Sequence, residues 1–585
     1  MNSNFLSRVC RIAAIGAILL GSASCVAINE ELGENFIPTD QLWDAYTPEA
    51  ADLKEVRMQM SDSLSGYSTT RFTFGAVNDS RFGTSVKSTS FTLVPLYDTL
   101  DFGKNMKIKQ FHFTAVRDTL SVTKKEHLRM LQNVHVSELK KALDSTVLYM
   151  GAFMNPEIRA EYLNTEEEIT VGTPVYDGGD SLSFDFSREF TERFVEKLRK
   201  ADLDSMDLYV QQIPGIYITT DLPTNNGGRI NMFDLSILSS DGYITGNYAQ
   251  LKFTAEYDHS KEPVDTSFLF FFGPAEFMKD DATGYPTQFA FNSSDHETYY
   301  EFKGEGIAAT DKIYIEGGSG IKPVVKAKEI KRILNEQIAQ EGIQNPSEVV
   351  INKATIILPY NVEGDYDALN TYPMILSPTV RLRSSEGGYV SYAGLTDSSI
   401  ETENQGDINR SLSLYSPDIS HHVQEILKLD ENDKDYEKNI EKYDIWFLIM
   451  HEEIQESSSN NNAMNDLYQN LMYNSYYNSM MYDPYGYGYG YGGYGGYGGY
   501  GYGGYGGYGG YGGYGGYGGY GYGSNYYNYY MMAMYANSYG SSSSSGQTSI
   551  ELDKDRYYYG VLNGPEAAGA KPQLKITFSA PKTAE

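Results

Sequence analysis

The chain runs to 585 residues, with 46 Lys and Arg against 77 Asp and Glu, a formal net charge of −31 at pH 7 and only two cysteines. So acidic a chain excludes nucleic acid and anionic headgroups as its main ligands, because binding either depends on Lys and Arg displacing counterions. Two cysteines exclude a disulfide framework, and the length predicts two to four domains.

Residues 1–24 read as a removable export signal. Arg8 and Arg11 form a short positive region, and residues 12–21 (IAAIGAILLG) are an apolar run too short to cross a bilayer as a helix. Gly21, Ser22, Ala23 and Ser24 are small, and Cys25 follows; Ser22 stands where Leu is usual. An apolar run closing on small residues and a cysteine is the bacterial lipoprotein pattern, in which the signal is cut away and Cys25 becomes the acylated N-terminus. A plain signal peptide with an incidental Cys25 is the alternative. Cysteine arithmetic favours acylation: Cys10 leaves with the signal, and the lone remaining thiol is otherwise unexplained. More than one acyl chain on one residue also anchors stably, where a single chain binds marginally. Losing Arg8 and Arg11 and no acid takes the charge from −31 to −33. No second stretch reaches spanning length, so the expectation is a water-soluble body on the outer membrane, held by lipid on Cys25 through a tether over 25–64. The acidic Asn29, Glu30 and Glu31 stretch after Cys25 suits export to the cell surface, with the periplasmic face as the other possibility.

From about residue 67 the pattern predicts a mainly β protein. Residues 72–74 (FTF), 90–94 (SFTLV) and 108–116 (IKQFHFTAV) alternate apolar and polar side chains as half-buried strands do. Helices are few: residues 188–201 with Phe190, Phe194 and Leu198 on one face, residues 326–340 with Ile330, Leu334 and Ile338, and a short one after Ser420 as N-cap. A weak repeat runs through the chain. Residues 184–187 (FDFS) enter a helix, a strand follows at 215–219, then an excursion with Gly227 and Gly228, then a closing strand at 251–255 (LKFTA). Later, residues 418–420 (DIS) enter a short helix, followed by a strand at 443–450 (YDIWFLIM), a very long excursion and a closing strand at 574–578 (LKITF). The expectation is two related β-sandwich, jelly-roll-like lobes over 65–260 and 265–582, with a single extended sandwich as the alternative.

The long excursion, 467–548, is rich in Tyr, Gly, Met and Ser and holds half of the 52 tyrosines. Residues 484–550 carry no charge, and residues 485–523 are an almost unbroken Tyr-Gly and Tyr-Gly-Gly repeat. Glycine loses too much backbone entropy and brings no side chain, so such a tract is expected to stay disordered. Each tyrosine still offers a flat face and a hydroxyl. The tract therefore reads either as a tolerated repeat expansion or as a contact segment, with Tyr485, Tyr494, Tyr505, Tyr514 and Tyr520 as contact residues. Met480, Met481, Met531 and Met532 at its flanks favour contact, being poor choices for an idle solvated loop.

No catalytic constellation emerges, so the chain reads as no enzyme, with no cofactor and no metal. The eight histidines, His112, His127, His135, His259, His296, His421, His422 and His451, form no H-x-x-x-H pattern. Adjacent His421 and His422 face different ways. Residues 430–435 (DENDKD) lack a calcium loop's glycine and put Lys434 where an oxygen belongs. Residues 177–180 (DGGD) and 317–320 (GGSG) read as turns.

Several separated motifs carry a family resemblance. Residues 75–84 (GAVNDSRFGT) resemble an early G-x-x-x-D-P-x-F-G-T motif, with Ser80 for Pro. Residues 215–220 with Gly227 and Gly228, residues 313–320 (IYIEGGSG), and Asp418-Ile419-Ser420 followed far downstream by Lys571-Pro572, Leu574 and Ile576 extend the likeness in order. Together they resemble the Bacteroidota lipoprotein family described only as domain of unknown function 4270. The resemblance implies an envelope location and a β-sandwich fold, and brings no activity. The function expected is a surface-exposed lipoprotein with a non-catalytic binding or structural role in an envelope or nutrient-capture assembly. The partner expected is an outer-membrane protein or a glycan; a carbohydrate-binding module and, further off, a lipid-anchored hydrolase are the alternatives.

Overall fold

Alternating apolar and polar residues give a strand one face to bury, and a strand apolar throughout must bury both. The computed structural model describes residues 43–455 and 547–582, less several short internal stretches, and in it these patterns become mainly antiparallel sheet with a few short helices. In chain order, β1 (Trp43–Tyr46) and β2 (Val56–Met60) precede β3 (Arg71–Asp79), β4 (Gly83–Phe91), β5 (Lys104–Val116), β6 (His135–Glu138) and β7 (Ser181–Asp185). Helix α1 (Arg188–Leu198) follows, then β8 (Ile216–Thr219), β9 (Gly227–Asp234), β10 (Tyr248–Glu256), β11 (Val264–Phe272) and β12 (Thr287–Asn292). Next come β13 (Lys312–Glu316), β14 (Ile321–Val325), α2 (Ala327–Gln340), β15 (Val350–Pro359), β16 (Ile375–Arg383) and β17 (Leu414–Tyr415). Helix α3 (Ser420–Lys428), β18 (Ile445–Gln455), β19 (Gln547–Leu552), β20 (Tyr559–Asn563) and β21 (Gln573–Pro581) follow, with shorter strands and helices between these elements.

The first lobe packs the sheet β9-β3-β4-β8-β6, with β12 also on β4, against the sheet β7-β5-β10-β11. Its core is phenylalanine: Phe91 and Phe272 meet across the sheets with ring centroids 4.7 Å apart, and Phe113 and Phe272 lie at the same distance. Helix α1 starts where Ser187 Oγ accepts the Phe190 amide, and it lays Phe194 5.2 Å from the Phe111 ring. The second lobe packs β1-β21-β15-β17 against β2-β14-β18-β16, with β19 on β18. Strand β18 is the expected run over 443–450 and is buried on both faces. Ile445, Phe447 and Ile449 enter the main core, while Trp446, Leu448 and Met450 pack with Leu64 and Met150 on the other side.

The repeat read from sequence is present in the pairing. In the first lobe β5 lies between β7 and β10, and β8 lies between β4 and β6. In the second lobe β15 lies between β17 and β21, and β18 lies between β14 and β16. These six strands follow the same chain order in both lobes, and α1 and α3 each connect the fourth to the fifth. Helix α2 has no counterpart among the described residues. The lobe boundaries are corrected, however. The segment expected to be tether up to residue 64 holds β1, which pairs with β21 from Trp43↔Pro581 to Tyr46↔Phe578, and β2, which pairs with β14. Val56, Met58 and Met60 point one way between Arg57 and Gln59, a five-residue alternation too short to stand out beside a polar leader. The first lobe is thus inserted into the second, and it runs past residue 260 through β11 and β12.

Removing residues 1–60 strips β21 of its outer neighbour and β14 of one flank. Chemical unfolding of that variant is expected to show a lower midpoint and a shallower denaturant dependence than the full chain, because the second lobe no longer contributes its buried surface to the transition. A transition identical to that of the full chain would show that β1 and β2 are dispensable.

Candidate functional site

Because the first lobe interrupts the second, the chain crosses between them twice, and the end of β2 meets the returning chain where the Met60 amide donates to the Phe302 carbonyl at 2.8 Å. Around these crossings lies a seam that holds the densest group of buried charges among the described residues. Its apolar rim is the β3–β4 turn, where Phe82 sits 5.5 Å from Tyr314 on β13 and 5.4 Å from Tyr559 on β20. Gly75, in the middle of β3, has φ +144°, and a Cβ there would lie 2.3 Å from the Arg229 carbonyl, so glycine is required for β3 and β9 to approach.

Alternate residues of a strand share a face, and Ser85 and Lys87 therefore point together into the second lobe. Ser85 Oγ donates to Glu316 Oε1 at 2.8 Å, and the Tyr557 hydroxyl lies 2.6 Å from the same oxygen and 2.9 Å from Ser85 Oγ. Three oxygens from three distant parts of the chain thus share two hydroxyl protons. Lys87 Nζ donates to the carbonyls of Lys554 and Asp555 at 3.0 and 2.9 Å. Lys322 Nζ donates to the carbonyls of Glu316, Gly318 and Gly320 at 2.5, 3.0 and 3.0 Å. The turn expected over 317–320 is what makes this cage. Gly318 adopts φ +58°, and a Cβ at position 320 would fall 2.4 Å from Glu316 Oε2. Ser61 Oγ, on the outgoing crossing, lies 3.0 Å from the Gly318 carbonyl. Asp553 Oδ1 accepts the amides of Asp555 and Arg556, and its Oδ2 lies 3.5 Å from Arg556 and 3.8 Å from His451.

Burial sets the electrostatics. Lys87, Glu316 and Lys322 are each 2% exposed or less. Loss of hydration pushes Lys87 down to about 8, against the pull of Asp553, Asp555 and Glu316. The same loss takes Lys322 down to about 7, with Glu316 opposing and Lys87 adding to it. Glu316 Oε2 is buried and has no hydrogen-bond partner among the described residues. Amines seated on backbone carbonyls and a carboxylate seated on hydroxyls can fasten two lobes; they present no open face to a substrate.

A second titratable group lies elsewhere on the first lobe. His135 places Nε2 2.8 Å from Asp221 Oδ1 and Nδ1 against Glu168, while Asn133 donates to Asp221 Oδ2 at 2.7 Å. Partial burial works against the charge, but the bonds to both carboxylates outweigh it and hold the imidazolium above its ordinary range.

Other residues singled out in the sequence are placed as follows. Helix α3 begins at Ser420, whose Oγ accepts the Ala354 amide instead of capping the helix. The cap is Asp397, which accepts the amides of His421 and His422 at 2.7 and 3.1 Å. His422 is buried on the Tyr443 carbonyl and pushed down by loss of hydration. In the 430–435 loop, Asp430 and Asp433 accept the amides of Asn432 and Asp435 as turn residues. No cluster of His, Cys, Asp and Glu suited to a metal occurs among the described residues. Cys25, Met480, Met481, Tyr485, Tyr494, Tyr505, Tyr514, Tyr520, Met531 and Met532 lie outside the described residues. The seam itself escaped sequence reading. Its one visible trace is Lys322 inside the otherwise apolar IKPVV strand.

Tyr557→Phe removes one of the two shared protons and is expected to cost about 1 kcal/mol in urea unfolding. Glu316→Ala strips two hydroxyls of their acceptor and leaves two buried ammoniums without their carboxylate, at about 3–5 kcal/mol. If Glu316→Ala is no worse than Tyr557→Phe, the carboxylate is not the centre of the seam. For His135 the folded value is raised, so its contribution is fully present below about pH 6.5 and fades as pH climbs through the folded value. The stability gap between the wild type and His135→Gln should therefore be widest in mild acid and shrink toward pH 8; a gap that widens with pH contradicts the two-carboxylate clamp. No family model matches the chain, and no curated protein or solved structure matches it significantly.

Proposed function

We propose that this chain is an exported lipoprotein of the bacterial outer membrane, anchored through Cys25, whose two-lobed body presents the Tyr–Gly segment to a partner in a non-catalytic binding or structural role. The observation that carries the reading is the pairing of β18 with β19, which runs from Met450↔Leu552 to Gln455↔Gln547. Residues 456–546 therefore leave and re-enter the body at adjacent positions. An insertion between two paired strands asks nothing of the sandwich, and a loop lengthened there costs little closure entropy. On this reading the tyrosines and methionines between β18 and β19 make the contacts with the partner.

The anchor fits the same scheme. Strand β1 begins at Trp43, and the link to it from Cys25 spans at most about 60 Å when fully extended. That length holds the body close to the envelope. Membership in the family described as domain of unknown function 4270 belongs to this proposal. Two of the motifs that support it, 75–84 and 313–320, form the hairpin and the carbonyl cage of the seam, which gives a physical reason for their sequences. The alternative occupant for the tyrosines is a glycan, since their faces stack on sugar rings.

Fatty-acid labelling in a bacterial host tests the anchor: the wild type should incorporate label and sediment with membranes, and Cys25→Ala should do neither. Equal sedimentation of Cys25→Ala would end the lipoprotein reading. Replacing 456–546 by a short glycine turn should leave the urea midpoint unchanged and abolish a partner captured by crosslinking on intact cells. Capture of the same partner by the shortened protein would remove the contact role, and binding of the full chain on a glycan array would move that role to sugars.

A further inference from the structure

Lys87 and Lys322 are both buried, but they are linked to different events. The carbonyl cage of Lys322 comes from its own lobe: Glu316 ends β13, and Gly318 and Gly320 follow it in the turn to β14. Lys87 instead leaves β4 of the first lobe and donates only across the seam, to the carbonyls of Lys554 and Asp555 between β19 and β20. A Cβ at Gly318 would lie 3.4 Å from Lys87 Nζ, so the second lobe closes over the ammonium from that side as well. The groups around it are Glu316 on β13, Lys322 on β14, and Asp553, Asp555, Arg556 and Tyr557 on the segment between β19 and β20; His451 on β18 faces Asp553.

We propose that the seam is a proton-linked fastening: parting the lobes lets Lys87 take up a proton, so the lobes hold together more firmly as pH rises from neutral to mildly alkaline. The physical reason is the hydration that the ammonium loses on docking. Two carbonyls and the nearby carboxylates return only part of it. Burial brings Lys87 from its ordinary 10.5 to about 8. Between those values the joined form holds fewer protons than the parted form, and its stability climbs with pH. Acidification toward neutrality works the other way and loosens the junction. Lys322 keeps its cage when the lobes part, so its proton belongs to the folding of the second lobe and not to docking.

The test is urea unfolding of the full chain at pH 6.5 and pH 9, followed by Trp446, which packs with Leu64 and Met150 on the face of β18 turned away from the second lobe's core. A Trp43→Phe background leaves Trp446 as the sole tryptophan, since the chain has two. Lys87→Arg keeps its charge at both pH values and has no such linkage. Its unfolding constant relative to wild type is expected to grow about tenfold between pH 6.5 and 9. Lys87→Met has no ammonium to bury and also relieves Lys322 of a like charge, so its unfolding constant relative to wild type must grow by at least as much, whatever its absolute stability. Ser85→Ala leaves the ammonium seated and must keep the wild-type pH dependence. A ratio that stays flat for Lys87→Arg and Lys87→Met, or a Ser85→Ala variant that loses the trend, overturns the proposal.

Discussion

The chain passes between the lobes twice, and that imposes one requirement on this fold: the junction must be pinned. The pin is Glu316. Its carboxylate gathers hydroxyls from β4 and from the segment before β20, and its backbone carbonyl helps to cage Lys322. Residues more than two hundred positions apart in sequence meet there. Buried charges of this kind add less to stability than packed apolar groups of the same volume would, but they are unforgiving of wrong partners. In this molecule the aromatic rim of Phe82, Tyr314 and Tyr559 supplies the apolar area around the buried charges.

The architecture follows from a repeat that has been interrupted and completed from outside. Each lobe needs a strand beside its closing strand. The first lobe takes it from the strand that comes next, β11, and the second takes it from the far N-terminal end, β1. On the proposed reading this has a functional consequence. The anchored end enters the second lobe at β1, and the Tyr–Gly segment leaves the same lobe between β18 and β19. Anchor and contact segment thus belong to one lobe, and the first lobe is fastened to it through a junction whose hold depends on one lysine's proton.

Much of the fold was legible in local pattern. Strands β5 and β10 alternate cleanly, α1 and α3 show apolar stripes, and the runs over 443–450 and 574–578 are β18 and β21 within a few residues. The repeat was visible because it rests on order along the chain. What stayed hidden depends on partners far away. Trp43 pairs with Pro581, and nothing near position 43 announces it. Ser420 looks like a cap, yet Asp397 is closer to the helix's free amides. Lys87 and Glu316 carry no local mark of their burial, because periodicity assigns a residue to a face without saying what covers that face.

The seam makes two sandwiches into one cooperative body. Scanning calorimetry of the intact chain tests it most directly. Fastened lobes should melt in a single transition whose van't Hoff and calorimetric enthalpies agree. Two resolved transitions, each with its own enthalpy, would show that the lobes fold independently and that Glu316 joins nothing that matters to stability.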